Sequence, residues 1–539
     1  MSIQPFRISR LASTIFRQCL PASWGAVLLW CLASVGNARQ VSVLIQPPVD
    51  SHARAFVEIV CPPVRIWSFP NRYGGVSELG SRIERLEAFD AAGGEIPVRK
   101  TAPGQYEAAQ SASRFRYEVN LSPPAQPSNA ANISWLTFTR GLLMLADLLP
   151  TNRLEQGKAG DSETKVAAET AIVRFTVPNS WEVYFNESQN AAGDFPVIAR
   201  SELQKELAFA VPDVDRAVFA LGSHLRSSQL SASGMTLRLV TDGEWAFADL
   251  ETLEMAGDVL KAHRAVFGAM PAKRGTLILI PFPQTVPANK WSAETRGSTV
   301  TLIMGKLPAK TAALLQLSVP LTHELFHLWV PNALALEGDY AWFYEGFTVY
   351  QATRTAVRLG QLTFPEFLNA IGRAYDAYAG GVDHDRWSLI EASKRRWTSG
   401  ESSVYSKSMV IAFLYDLKLR SRSHGKRSLD DAYRKLFQGH RVPEGISTGG
   451  APRQEIYGND EAANALAGAA NEQSFVRQFI RDAVTINLTS ELAPFGLRVE
   501  QFGMRTRISV SERLSRPQRD LLRELGYNDY VRSSQKKRS

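Results

Sequence analysis

The chain has 539 residues, 45% of them apolar, which is too long for one hydrophobic core and implies two or three domains. Three of the eight net positive charges fall in residues 1–38 and four in the tail after Tyr530, so the body is nearly neutral. That balance argues against a nucleic-acid-binding surface, and the composition argues against a disordered or fibrous protein.

The first 38 residues read as a secretory leader. Arg7, Arg10 and Arg17 give a basic start, Trp24 to Val35 an apolar stretch too short to span a bilayer comfortably, and Gly36-Asn37-Ala38 the small residues of a cleavage site after Ala38. The alternative is an uncleaved anchor. Bulky Trp30 before Cys31 argues against lipidation. Cys19 and Cys31 leave with this segment, so the mature chain keeps Cys61 alone and has no internal disulfide. The expected location is periplasmic or secreted, with no stable membrane span after cleavage.

Residues 40–240 are expected to form a β-rich domain. Val41 to Ile45, Ala55 to Val60 and Ile172 to Val177 are short alternating or apolar runs between Pro, Gly and Asn clusters, and Ala91-Ala92-Gly93-Gly94 is a turn. His52 and His224 lack ligand-spaced partners and read as structural or surface residues.

Near residue 245 the period changes. Trp245 to Phe267 has helical spacing, with Phe247, Leu250, Leu253, Val259, Leu260 and Ala262 on one broad face, ended by Gly268 and Pro271. Thr276 to Ile280 and Ser298 to Ile303 are buried strands. Pro320 then either starts a helix or kinks a longer one that begins near Lys310.

That helix carries His323-Glu324-Leu325-Phe326-His327. Residues four apart lie on one helical face, so the two imidazoles can hold one metal ion. Both sit among Leu321, Leu325, Phe326, Leu328 and Trp329, and a buried histidine pair needs partners that a shared metal supplies. Glu324 is placed to take a proton from water. A catalytic zinc wants three protein ligands and an open fourth position, and Glu345, in the aromatic run Trp342 to Thr348, is the third. The predicted cofactor is one zinc ion on His323, His327 and Glu345.

Helices dominate from Glu345 to about residue 485, one of them capped by Ser428 with Asp431. His384, between two aspartates, and His424 read as exposed. Residues 490–510 return to short strands, and the tail after Tyr530 reads as disordered.

His323 to Trp329 followed by Trp342-Phe343-Tyr344-Glu345-Gly346-Phe347-Thr348-Val349-Tyr350 resembles the glycyl aminopeptidase family of gluzincin zinc peptidases. Less specific likeness runs through Arg85 to Asp90, Ile96 to Lys100, Tyr405 to Ser408 and Leu429 to Asp431, covering roughly residues 41–505. The resemblance implies an α+β multidomain fold: a β-rich N-terminal domain, a thermolysin-like catalytic domain over 241–370, a helical domain over 371–490, and a short strand remnant with a basic tail over 491–539. It also implies Tyr405 as donor to the oxyanion and Glu294, in the run Ser292 to Thr299, as anchor for a substrate's free amine. Three departures stand out. Val330 occupies the place where an Asn is usual, with Asn332 two positions on; the loop from Trp329 to Trp342 is short; and too few residues follow Phe502 for the family's C-terminal PDZ domain.

The leading expectation is an exported zinc aminopeptidase that releases small N-terminal residues such as Gly or Ala from peptides. The alternatives are an endopeptidase with the same chemistry and a non-catalytic peptide-binding protein. Side-chain preference, biological substrate and oligomeric state are not legible.

Overall fold

The computed structural model describes residues 39–49, 52–150, 170–186, 197–381, 384–442, 456–470 and 472–528. The expected leader and the basic tail lie outside them. The described part is α+β: β-sheets fill its first half and helices carry the predicted metal ligands in the second.

The N-terminal region is two packed sheets. The larger runs Ile198–Ala199, Gln204–Val211, Ala171–Pro178, Arg39–Val49, His52–Ser68, Gln105–Asn120, Ile83–Phe89 and Glu95–Ile96, with Val98–Ala102 also paired to Gln105–Asn120. Its strands bury alternate residues, Val41, Val43 and Ile45 beside Val173, Phe175 and Val177, as a sheet with one covered face must. That face packs on Phe185, Phe219 and Leu221 of a four-stranded sheet. The smaller sheet is buried on both sides. Its other face, with Trp135, Leu142, Met144, Val218 and Ala220, meets Val240, Ile278, Ile280 and Ile303 of the next sheet. This explains why Val218–Gly222 is a continuous apolar run rather than an alternating one.

The third sheet has the order Arg226–Ala232, Met235–Thr241, Arg274–Pro281, Thr299–Met304, Trp291–Arg296. The hairpin Arg226–Thr241 therefore lies with this sheet, not with the strands before it. Met235–Thr241, Arg274–Pro281 and Thr299–Met304 are parallel, and Trp291–Arg296 is an antiparallel edge. The helix Asp249–Phe267 connects the first two parallel strands. It starts four residues later than the periodicity suggests. Leu250, expected on its buried face, is in the first turn and 58% exposed, and the apolar face begins at Leu253.

The metal-bearing helix is the longer of the two alternatives: it spans Lys310–His327 with Pro320 inside it. It lies along the edge strand Trp291–Arg296. The helices Thr348–Arg358, Phe364–Ala379, Ser408–Ser423, Leu429–His440 and Gly458–Ala470 build the rest of the second half. Ser428 and Asp431 cap Leu429–His440 reciprocally, as expected. The strands near residue 500 form one hairpin, Leu497–Phe502 with Arg505–Val510, and the Thr506 amide donates to the Asp376 carboxylate on Phe364–Ala379. The sequence reading missed a last helix, Arg516–Glu524, although Ser515, Pro517 and Gln518 are a start signal for one.

Candidate active site

The sequence around Glu345 does not continue as an ordinary α-helix. Trp342–Phe347 forms a π-helical turn that runs into Thr348–Arg358. A second π-helical turn, Ser403–Lys407, leads into Ser408–Ser423. The two turns lie backbone to backbone, and Gly346 is where they touch. A Cβ on Gly346 would stand 2.3 Å from the Val404 carbonyl oxygen and 2.3 Å from the Ser408 Cβ, so only glycine fits. The close approach brings Glu345 and Tyr405 into one site although sixty residues separate them.

His323, His327 and Glu345 converge there. The two imidazole Nε2 atoms are 3.0 Å apart, and Glu345 Oε2 is 3.3 Å from His323 Nε2 and 3.6 Å from His327 Nε2. Ligands about 2.0–2.1 Å from a tetrahedral zinc sit roughly 3.3 Å from one another, so these spacings fit the ion. Among the described residues this is the one group of three or more His, Cys, Asp or Glu side chains placed to hold a metal ion. All three side chains are largely buried. His327 Nδ1 meets the Val330 carbonyl at 2.9 Å, which fixes the ring and aims Nε2 at the cluster. Burial opposes charge on both Glu345 and His327. The Arg396 and His327 charges nevertheless hold the Glu345 carboxyl well below its ordinary range, and Glu345 lifts His327 to about 9.

Glu324, beside the first ligand, is buried, and its Oε2 accepts from Thr295 Oγ1 at 2.7 Å. Thr295 sits on the edge strand, next to Glu294. Glu294 is half-buried, and Tyr73 from the N-terminal region donates to its Oε1 at 2.7 Å. Burial raises the Glu294 carboxyl and the neighbouring Glu324 charge adds to this, against Arg296, the Tyr73 hydrogen bond and Arg396. The Arg296 guanidinium lies 4.0 Å over the Tyr73 ring and donates to the Asn132 carbonyl at 2.8 Å. Gly75, in the same hairpin tip as Tyr73, faces the ring of Trp397. The N-terminal region thus walls one side of the site.

Each sequence-predicted residue lies at this site: the three ligands, Glu324, Glu294, and Tyr405, whose hydroxyl accepts from Arg396 Nη2 at 2.8 Å. His224 and His424 are exposed, and His384 instead pairs with Asp385 at 2.9 Å. The sequence reading did not find Thr295, Tyr73 or Arg396. Arg396 follows Lys394 and Arg395, a run that looks like a solvated surface, and Tyr73 is more than two hundred residues away in a short hairpin. Asn332, noted as displaced from the usual place, has a clear task. Its Oδ1 accepts from Gly297 N at 2.9 Å and its Nδ2 donates to His327 O at 3.0 Å, clamping the end of the metal helix to the edge strand.

A helix presenting two histidines beside a mixed sheet, an edge strand along it, and a glutamate from a second helical segment define the zinc-metallopeptidase class of fold and site. Among known proteins the similarity is to the M1 group of that class. An aminopeptidase N family protein from Idiomarina loihiensis superposes with a TM-score of 0.66 at 17% identity, covering 86% of this chain and 79% of the other. The M1 zinc metallopeptidase from Deinococcus radiodurans gives 0.50 at 15% identity, covering 84% and 95%. A variant of the latter, in complex with a Tyr-Ser-Ala substrate, gives 0.50 at 14% identity with the same coverage. No family model matches the sequence, and no curated protein does. At such identities the likeness is one of fold; the His–His–Glu set able to hold a metal ion is read from this chain's own residues.

Proposed function

We propose that the protein is a zinc aminopeptidase that removes small N-terminal residues from peptides. The observation that carries this reading is the meeting of two carboxylates at one site: Glu324 beside the proposed zinc ligands, and Glu294 on the edge strand next to Thr295, which holds Glu324. A bound zinc ion acts as a Lewis acid toward water and the scissile carbonyl. Glu324, held by Thr295, takes the proton from the attacking water and returns it to the leaving amine. Tyr405 donates to the oxyanion of the tetrahedral intermediate. Glu294 binds the substrate's α-ammonium. Tyr73, bound to Glu294, and Gly75, against the Trp397 ring, bring the N-terminal region up to the Glu294 side of the site, which supports exo- over endopeptidase action. The tripeptide bound by the Deinococcus protein is a ligand of suitable size. The glycyl aminopeptidase resemblance supports Gly or Ala as the released residue.

The test is a panel of aminoacyl reporters and amino-blocked peptides, with and without chelator. Chelator-sensitive hydrolysis of Gly- and Ala-reporters, with the blocked peptides spared, is expected. Cleavage of the blocked peptides would instead identify an endopeptidase, and zinc binding without any hydrolysis a peptide-binding protein. We further propose export with loss of residues 1–38, on the basic, apolar and small-residue order of that segment. The N-terminus of the mature protein should then be Arg39, whereas exported protein that retains Met1 would mean an anchor.

A further inference from the structure

We propose that Arg396 is a positioning residue of the active site, sorting the two oxygens of Glu345 and freeing the Tyr405 proton for the reacting carbonyl. The second half of this proposal rests on the hydrolytic reading above; the first half does not.

Arg396 stands in the turn after the short helix Leu389–Ser393. Ser393 Oγ accepts from the Trp342 amide at 2.9 Å, tying this stretch to the start of the Glu345 turn. From there the guanidinium reaches three groups. Its Nη2 is 2.7 Å from Glu345 Oε1 and donates to the Tyr405 hydroxyl at 2.8 Å; its Nη1 donates to the Tyr344 hydroxyl at 3.1 Å. The Trp397 ring, 4.3 Å away, flanks it.

The two carboxylate oxygens of Glu345 are therefore unequal. Oε2 faces both imidazoles, while Oε1 faces a fixed cation. A free carboxylate can give one or two oxygens to a metal. With Oε1 on Arg396, Glu345 would offer a metal ion Oε2 alone.

For Tyr405, hydrogen-bond direction decides. Its oxygen accepts from Arg396, and no acceptor for its proton is found among the described residues. The proton is thus available to a developing oxyanion, and an accepted bond from a cation makes the phenol a stronger donor. A lysine could supply the charge but not the planar fork that serves Glu345, Tyr405 and Tyr344 together.

The experiment uses the full mature chain with Arg396→Gln, Arg396→Lys, Tyr405→Phe and the Arg396→Gln/Tyr405→Phe double variant. Zinc affinity is measured by competition with a chromophoric chelator, and kcat and KM on an Ala-reporter at saturating zinc. Arg396→Gln is expected to weaken zinc about 10- to 100-fold, the scale for losing a group that orients a ligand. It should also lower kcat about tenfold or more while KM moves less than about threefold, the pattern of a contact made mainly in the transition state. Arg396→Lys should regain part of the zinc affinity and little of kcat. In the Tyr405→Phe background the Arg396→Gln loss in kcat should shrink to less than about threefold, because the effect passes through that hydroxyl. Unchanged zinc affinity in both Arg396 variants would overturn the first half of the proposal, and additive kcat losses the second. Should the wild type hydrolyse no peptide, the peptidase reading falls, while the zinc arm still decides the role of Arg396 toward Glu345. If Arg396→Gln does not fold, Arg396→Lys and its double variant with Tyr405→Phe carry both tests.

Discussion

Two arginine–carboxylate networks share one helical run in this protein, and they are built to opposite ends. Tyr350 and Arg354, on Thr348–Arg358, meet Asp416, Asp430 and Arg420 in the core of the helical half. Asp416 has no exposed surface, and both its oxygens are engaged: Oδ1 by the Leu429 amide, Oδ2 by Tyr350, Arg354 and Arg420. Burial works against its charge, yet Arg420 and Arg354 hold its carboxyl down at about 2. Just upstream in the chain, the network of Glu345, Arg396 and Tyr405 stays open. One carboxylate oxygen faces two imidazoles, and a phenol proton lacks an acceptor among the described residues. A buried polar cluster that closes on itself fixes a fold. One that leaves donors and acceptors converging on a common point is prepared for a ligand.

The sharpest way to break that contrast is Glu324→Gln. It should keep zinc bound while kcat falls by at least ~100-fold, the usual scale for a lost general base; metal content and kcat measured on one preparation check it. Retained activity at full zinc would remove Glu324 as the base. In the closed network, Arg354→Met should cost up to about 3–5 kcal/mol of stability, because half-buried Asp430 loses its arginine and fully buried Asp416 is left with Arg420 alone. Zinc affinity of the folded fraction should be unchanged, and denaturant melts with zinc titration separate the two effects.

A smaller effect belongs to His263. Burial draws its pKa down to about 4, against the Thr322 carbonyl that its Nε2 meets. The folded form therefore holds the ring neutral where the unfolded chain, near 6.5, takes a proton. The resulting stability is full above about pH 6.5 and is lost as pH falls toward 4, at most about 3 kcal/mol. In metal-free protein the stability difference between wild type and His263→Phe should shift in the variant's favour from pH 7 to pH 5. A constant difference would contradict this. Smallest is Thr295→Val, which takes the donor from Glu324 at nearly constant volume. We expect roughly a tenfold loss in kcat, the worth of one hydrogen bond to a charged group, with zinc content unaltered.

Much of the site was legible because its chemistry is written at helical spacing. His323, Glu324 and His327 need only the local geometry of one helix. Glu345 was legible as a residue type in the right surroundings and Tyr405 only through the family resemblance; the π-helical turns that present them were not, since an extra residue in a turn leaves no mark in the apolar period. Arg396 and Tyr73 were illegible for a different reason. Their roles exist only after distant segments meet, Tyr73 across the junction of the N-terminal and catalytic sheets and Arg396 across the packing of two helical turns. Asn332 is intermediate: its displacement was visible in the sequence, its clamp between helix and strand was not. The β half was readable where one face is buried and less so in the doubly covered sheet, whose continuous apolar strands carry no alternation.

The π-helical turn at Trp342–Phe347 has a consequence for how this site can change. A turn that holds one residue more than an α-helical turn rotates the upstream residues against the downstream ones by roughly 100°. Downstream, Tyr350 and Arg354 are locked to Asp416 and cannot rotate. The bearing of Glu345 is therefore set by a residue count, decoupled from the anchored barrel of the helix. Adding or removing a single residue between Trp342 and Phe347 would re-aim the ligand together with the buried Trp342 and Phe343 beside it, while Tyr350 and Arg354 stay on Asp416.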